Sequence, residues 1–441
     1  MENRTQAPQR TGGATPPAMP VATPPRMPAA ASAPPALPPQ QSQPPLVQQA
    51  TPIAATVEVE PYATIMLVAG EASGDAHAAA LIHALRRYEP TLRFIGAGGP
   101  QMAAAGQDQL FDLAAYAVVG LWEVLPHYFT FRRFQSQLLA LARKEKPAVV
   151  ILVDYPGFNL RMLPGLRAAL PHSRLVYYIA PQTWAWKPGR AQQMAQHLNL
   201  LLTLFPFEVE WFNRNARRLP VQCVGHPTLD RLDFSTLGPR VPGRVALLPG
   251  SRAAEVKSFL PIMWEAAHML AAKRVGIHFV LITPNEEMRR TCMEILDKLD
   301  APSFPFEVFS SYQLTHLARC EMAMVKSGTS SLECAFVGVV PVIVYRLHPV
   351  TAVFARWWIK LKHVGMINLL AGEEIVPELL QEQFTSRNLA QTTWRIIRKP
   401  RIMQETRQAM AEVIAGTLGG PGASERAAEA VLREVETALH G

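Results

Sequence analysis

From residue 62 onward, short apolar runs alternate with longer stretches whose apolar residues recur at helical spacing. The runs at 65–69, 93–96, 149–154, 174–179, 200–204 and 221–225 are rich in Val, Ile, Leu and Tyr. Near-continuous hydrophobicity is what a strand buried on both faces requires, so these runs predict a parallel sheet covered by helices on each side. The pattern breaks at Pro227, Gly238, Pro239, Pro242 and Gly243, a stretch with few apolar residues that reads as an interdomain linker. It restarts with runs at 244–248, 278–283, 306–310, 321–325 and 339–345. The expected fold class is therefore α/β, with two doubly wound domains facing a central cleft. The first covers 61–228 and the second 229–441, with the C-terminal helices in the second. Open sheets of this kind bind ligands beyond the carboxyl ends of their strands, so two of them can seat a nucleotide and its reaction partner around one cleft.

Residues 1–60 do not share this pattern. They hold 14 of the 39 prolines among Ala, Gln, Thr and Ser, with three basic and three acidic residues and no periodic apolar face. Such a segment buries too little surface to offset its ordering entropy and is expected to be a disordered tail, a tether. No cationic start leads into an apolar core of about 7 to 15 residues, and nowhere do about 18 apolar residues run together. A soluble, cytosolic protein is expected. Cys223, Cys292, Cys320 and Cys334 are widely spaced without a C-x-x-C pair and read as buried, reduced thiols. The tail's charges cancel, so the net charge of +8 belongs to 61–441. Its basic residues gather at Arg132-Arg133, Arg143-Lys144-Lys146, Arg214-Arg217-Arg218 and Arg356-Lys360-Lys362. A basic face suits nucleic acid, a nucleotide sugar or an anionic membrane surface. These residues are dispersed and no recognition module accompanies them, so nucleic acid is not expected.

Two glycine turns carry the most chemistry. Leu247-Leu248-Pro249-Gly250-Ser251-Arg252 and Ser327-Gly328-Thr329-Ser330-Ser331-Leu332-Glu333 each follow an apolar run and open a helical stretch. Backbone N–H groups at two helix starts can converge on one anion, which suits a diphosphate. Arg252 adds a bidentate cation, and Glu333, too acidic for phosphate, suits a sugar diol. In the first half, 65–69 runs into Gly70-Glu71-Ala72-Ser73-Gly74-Asp75. There Ser73 and Asp75 fit either a ligand loop or a simple N-cap. Gly96-Ala97-Gly98-Gly99 lacks the third glycine and acidic partner of a dinucleotide fingerprint, so NAD is not expected. Asp154 ends the run 149–153, where a lone carboxylate is costly unless it caps a turn or takes a proton in chemistry. The loop Pro181-Gln182-Thr183-Trp184-Ala185-Trp186-Lys187 reads either as a sugar or lipid face or as packing. The aromatic and cationic segment 354–362 reads either as a solvated face or as a membrane contact. No Asp-x-Asp, H-x-x-x-H or H-E-x-x-H pattern occurs, so no metal and no other cofactor is expected.

The motifs A-G-E-A-S-G-D at 69–75, V-D-Y-P-G-F-N at 153–159, P-Q-T-W-A-W-K at 181–187, G-H-P at 225–227, L-L-P-G-S-R-A-A-E-V at 247–256, S-G-T-S-S-L-E-C at 327–334 and I-N-L-L-A-G at 367–372 together resemble the lipid-A-disaccharide synthases. The likeness implies a GT-B fold, two Rossmann-like domains around a cleft, in an inverting, metal-independent glycosyltransferase. It implies transfer of 2,3-diacylglucosamine from UDP-2,3-diacylglucosamine to the 6-hydroxyl of 2,3-diacylglucosamine 1-phosphate, giving a β-1,6 disaccharide and UDP. By position, Asp154 matches the proposed base. Gly250, Ser251, Arg252, Glu255, Ser327, Gly328, Thr329, Glu333 and Asn368 match UDP-contacting groups, and Glu71, Ser73, Gly74 and Asp75 match the acceptor-side loop. The likeness also implies peripheral contact with the inner leaflet, in the cytoplasm, and is compatible with a homodimer. Gly157 stands where many members carry a second aspartate, Lys326 replaces a small residue, and the tail is no part of the pattern. The rival readings are another UDP-sugar enzyme of the same architecture, a UDP-GlcNAc 2-epimerase or a lipid-linked GlcNAc transferase, and a non-catalytic peripheral membrane protein.

Overall fold

A computed structural model of the chain describes residues 61–116, 124–185, 187–273, 276–310, 314–346 and 362–441. The segment 1–60, Trp186 and the part of the aromatic segment that holds Arg356 and Lys360 lie outside the described residues. In the first lobe the order is β1 (Thr64–Ala69), α1 (Ala72–Tyr88), β2 (Arg93–Gly98), α2 (Pro100–Ala104), β3 (Asp108–Asp112), α3 (Val124–Glu145), β4 (Val149–Val153), α4 (Pro156–Ala169), β5 (Arg174–Tyr178), α5 (Arg190–His197), β6 (Leu200–Thr203), α6 (Pro206–Asn215) and β7 (Val221–Cys223). The second lobe runs β8 (Arg244–Leu248), α7 (Ala253–Ala271), β9 (His278–Ile282), α8 (Glu286–Leu296), β10 (Phe306–Phe309), α9 (Leu314–Ala318), β11 (Met322–Lys326), α10 (Thr329–Phe336), β12 (Val340–Tyr345), α11 (Met366–Ala371), β13 (Glu378–Leu380), α12 (Ser386–Ile397) and α13 (Pro400–Leu418). The last helix, α14 (Ala423–His440), ends the chain.

Every ladder between these strands is parallel. The first sheet has the order β3-β2-β1-β4-β5-β6-β7 and the second β10-β9-β8-β11-β12-β13. Each sheet therefore reverses its strand order once, between β1 and β4 in the first and between β8 and β11 in the second. A doubly wound sheet opens a crevice at that reversal, because the loops on its two sides leave in opposite directions.

Side chains alternate across a strand, so each apolar run feeds two cores. Met66, Val68, Val150, Leu152, Leu175 and Tyr177 pack with the apolar faces of α3 to α6. Ile65, Leu67, Ile151, Val153, Val176 and Tyr178 belong to the other core, with Leu81, Ile82 and Leu85 of α1 and Val431 and Val435 of α14. From β4 onward the crossover helices lie on the first of these faces, which would leave the opposite side of β4 and β5 in water. The helix α14 covers it, packing on α1, β4 and β5. This corrects the expectation that the C-terminal helices all belong with the second domain. Val431 and Val435 are fully buried there, each contributing roughly 1.5–3 kcal/mol.

The linker is pinned by the same helix. Asp230 accepts hydrogen bonds from the N–H groups of Gly422, Ala423 and Ser424 at 2.6, 2.9 and 2.7 Å, capping the start of α14. Arg426 donates back to the Val224 carbonyl at 2.8 Å, and His226, Thr228, Leu229 and Leu232 are buried. The strands β3 and β13 have no counterpart in the sequence reading. Both are short edge strands of partly exposed residues, DQLFD and ELL, which carry no apolar run.

Candidate active site at the two strand-order reversals

Most of the site residues expected from sequence lie on the loops at these two crevices. In the second sheet, β8 and β11 are neighbours, with Val325 opposite Leu248, so both glycine turns leave one sheet edge side by side. Gly250 (φ 129°) and Gly328 (φ 155°) hold backbone conformations that a Cβ would strain. The helices they introduce, α7 and α10, begin without a side-chain cap, whereas α8 and α12 are capped by Asn285 and Thr385. Ser251, Arg252, Gly328 and Thr329 are exposed at this edge, while Ser327 and Glu333 are buried. The Ser327 hydroxyl donates to the Val364 carbonyl at 3.0 Å. Glu255, on the first turn of α7, accepts from Ser251 N–H at 3.2 Å and pairs with Arg252 at 3.4 Å and Lys326 at 2.9 Å.

In the first sheet, Asp154 leaves β4 beside the loop that follows β1. Asp154 and Tyr155 both have φ of 46°, a left-handed pair that costs of order 1–3 kcal/mol per residue and persists only when its surroundings hold it. Asn159 Nδ2 and the Tyr177 hydroxyl hold it, donating to the Asp154 carbonyl at 2.8 and 2.6 Å. Gly70 leaves room for the Tyr155 ring, which a Cβ there would meet at 2.0 Å. The Asp154 carboxyl is raised from 3.8 to about 7, first by burial and then by the neighbouring charge of Glu71, against a hydrogen bond from the Tyr155 backbone. Glu71 is itself raised by burial, while Arg252 from the opposite lobe lowers it. The charge of Arg252, in the second lobe, is thus felt at Glu71 in the first. Gly157 is exposed and nothing stands within 4 Å of where its Cβ would be, so the backbone accommodates the aspartate that the resembling pattern carries there.

Two expected ligand groups are committed elsewhere. Asp75 does not cap its own helix. Its Oδ1 accepts from Gly99 and Met102 N–H at 2.8 and 3.0 Å, and its Oδ2 from Gln101 N–H at 3.0 Å, so a buried carboxylate caps α2. A Cβ on Gly99 would stand 2.6 Å from Asp75 Oδ2, which accounts for that glycine. Asn368 is fully buried, and both amide hydrogens and its oxygen are taken up by Val376, Glu378 and Ile375 at 2.8–3.0 Å. It shapes the loop before β13 rather than presenting an amide to a ligand. The N-cap of α1 is Glu71, with Ser73 exposed and Gly74 buried in the first turn. Trp184 packs edge-on against Phe207 at 5.1 Å and donates to Glu208 at 3.1 Å, the packing alternative.

Sequence reading gave no role to Glu208, His77 or Tyr177. Glu208 closes a capping box at the start of α6 and is raised to about 7, chiefly by burial. His77 on α1 and His226 in the linker meet edge to face at 6.0 Å, and His226 meets Phe336 of α10 at 5.2 Å. Burial first, then Arg231, lowers His226 to about 4, so this contact between the lobes is apolar in effect at neutral pH. His77 and Tyr177 carry no local signal, since their partners come from distant segments, whereas Glu208 bonds the N–H groups of Leu204 and Phe205 within its own turn and could have been read from the Pro206-x-Glu208 helix start. A cavity of about 570 Å³ lined by Thr64, Arg143, Lys146, His172 and Leu439 lies at the opposite, amino-terminal edge of the first sheet and holds none of the site residues. Among the described residues no three His, Cys, Asp or Glu side chains cluster as metal ligands would, and no helix is long and apolar enough to cross a membrane.

The fold is shared with solved structures at low identity. A putative UDP-N-acetylglucosamine 2-epimerase from Listeria monocytogenes superposes with a TM-score of 0.58 at 14% identity, over 86% of this chain and 96% of that one. CalG4, the calicheamicin glycosyltransferase, gives 0.54 at 14%, over 85% and 98%. The lipid-A-disaccharide synthetase family model matches residues 65–432. The lipid-A-disaccharide synthase of Geobacter metallireducens is 36% identical over 381 residues, 84% of this chain and 97% of that one. That of Azotobacter vinelandii is 39% identical over 342 residues, 74% and 87%. A chain matched over nearly all of its two lobes, with four of its seven motifs at the strand-order reversals, belongs to the lipid-A-disaccharide synthase family of glycosyltransferases.

Proposed function

We propose that this enzyme moves 2,3-diacylglucosamine from UDP onto the 6-hydroxyl of 2,3-diacylglucosamine 1-phosphate by a single inverting displacement without a metal ion. The observation that carries the reading is the pair of glycine turns leaving adjacent strands β8 and β11 with Arg252 and Lys326 beside them, opposite one carboxyl held near neutrality. Asp154 takes the proton from the acceptor hydroxyl as its oxygen attacks the anomeric carbon. UDP leaves from the opposite face, so configuration inverts. The turn amides and two cations stabilise the charge developing on the diphosphate, where one preorganised donor contributes about 3 kcal/mol. Glu333 faces the nucleotide's sugar diol, and Glu71 and Ser73 line the acceptor side. Acyl chains on both substrates place the work at an inner-leaflet surface, which basic residues meet without a spanning helix. Release of UDP from acylated and unacylated UDP-glucosamine, with acylated acceptor and excess chelator, tests this reading. Turnover is expected only with the acylated donor, giving a β-linked product. Turnover of the unacylated donor alone would reject this reading in favour of another UDP-sugar enzyme, and loss of activity with chelator would overturn metal independence.

A further inference from the structure

The ion pair between Lys326 and Glu255 lies where the two glycine turns meet. Lys326 Nζ stands 2.9 Å from Glu255 Oε1 and 3.9 Å from where a Cβ on Gly328 would be. Glu255 Oε2 stands 2.6 Å from where a Cβ on Gly250 would be and accepts the Ser251 N–H at 3.2 Å. One carboxylate thus occupies the space left over the first turn, and one ammonium reaches from the second turn to meet it. The Lys326 and Glu255 side chains are only 19% and 17% exposed, so this is no loose surface pair of negligible effect. The Tyr345 ring, 6.0 Å from Nζ, walls one side.

The donors that Glu255 engages are a turn amide, a guanidinium and an ammonium. These are the groups a phosphate oxygen would take at a helix start. We propose that Glu255 is an internal occupant of the diphosphate seat, and that Lys326 passes from Glu255 to the diphosphate when the donor binds. The proposal rests on reading this seat as a nucleotide site. A carboxylate brings one negative charge to two cations, and a diphosphate brings more charge and more acceptor oxygens, so the exchange favours the nucleotide. Glu255 then sets how much of the cations' attraction is spent before the donor arrives, and Lys326 discriminates a diphosphate from a bare nucleoside.

Calorimetric titration with UDP, and NMR titration with uridine, separate the parts. Lys326→Ala is expected to weaken UDP binding roughly tenfold and leave uridine binding unchanged, which also shows that the variant is folded. Glu255→Gln is expected to tighten UDP binding. Lys326→Ala should cost more in the Glu255→Gln background, where Lys326 no longer has to leave a carboxylate. Unchanged UDP affinity in Lys326→Ala, or weaker binding in Glu255→Gln, would overturn the handover while leaving the nucleotide site intact. Absence of UDP binding by the unaltered enzyme would overturn the functional reading instead.

Discussion

Asp154→Asn is expected to lower turnover by about 10²- to 10⁴-fold, the usual contribution of a positioned general base, with UDP binding unchanged. The amide keeps the shape of the β4 terminus, whose strained backbone is held through the Asp154 carbonyl by Asn159 and Tyr177 rather than through the side chain. What it removes is the proton acceptor. Since the carboxyl is raised to about 7 by burial and by Glu71, its ionised fraction grows as pH rises through that value. The unaltered enzyme's kcat/KM should therefore rise as pH climbs toward 7 and level off beyond it. Glu71→Gln removes the second cause and should move that inflection to lower pH. Undiminished transfer in Asp154→Asn, or an acid limb that persists in it, would assign the base to another group.

Asp75→Ala is expected to destabilise the first lobe by about 3 kcal/mol or more, since it strips a buried carboxylate from three backbone N–H groups and leaves buried donors unsatisfied. Urea denaturation followed in the first lobe measures this. UDP affinity, a property of the second lobe, should hold under native conditions. Stability near that of the unaltered protein together with abolished transfer would return Asp75 to the acceptor site.

These two aspartates show how far the sequence was legible. Both come soon after apolar strands, and both match one family's motifs. Strand order separates neither of them, because Asp154 and the Asp75 loop leave adjacent strands β4 and β1. What separates them is where the oxygens point: Asp75 lies at the start of another helix, α2, a contact 24 to 27 residues away that no local pattern encodes. Asn368 eluded the same reading because its partners lie in the segment that follows its own helix. The two doubly wound sheets were readable because a strand buried on both faces needs an uninterrupted apolar run, as in Val149–Val153. The edge strands β3 and β13 escape that rule. So did the placement of α14, which depends on a bare sheet face that appears only once the crossover helices have been placed.

The most direct test is a crystal structure of the enzyme with UDP. The diphosphate is expected within hydrogen-bonding reach of the amides that follow Gly250 and Gly328 and of Arg252, with the ribose toward Glu333 and the open side of the cleft toward Asp154. Nucleotide bound away from both turns, or a diphosphate held through a metal ion instead of these groups, would contradict the account.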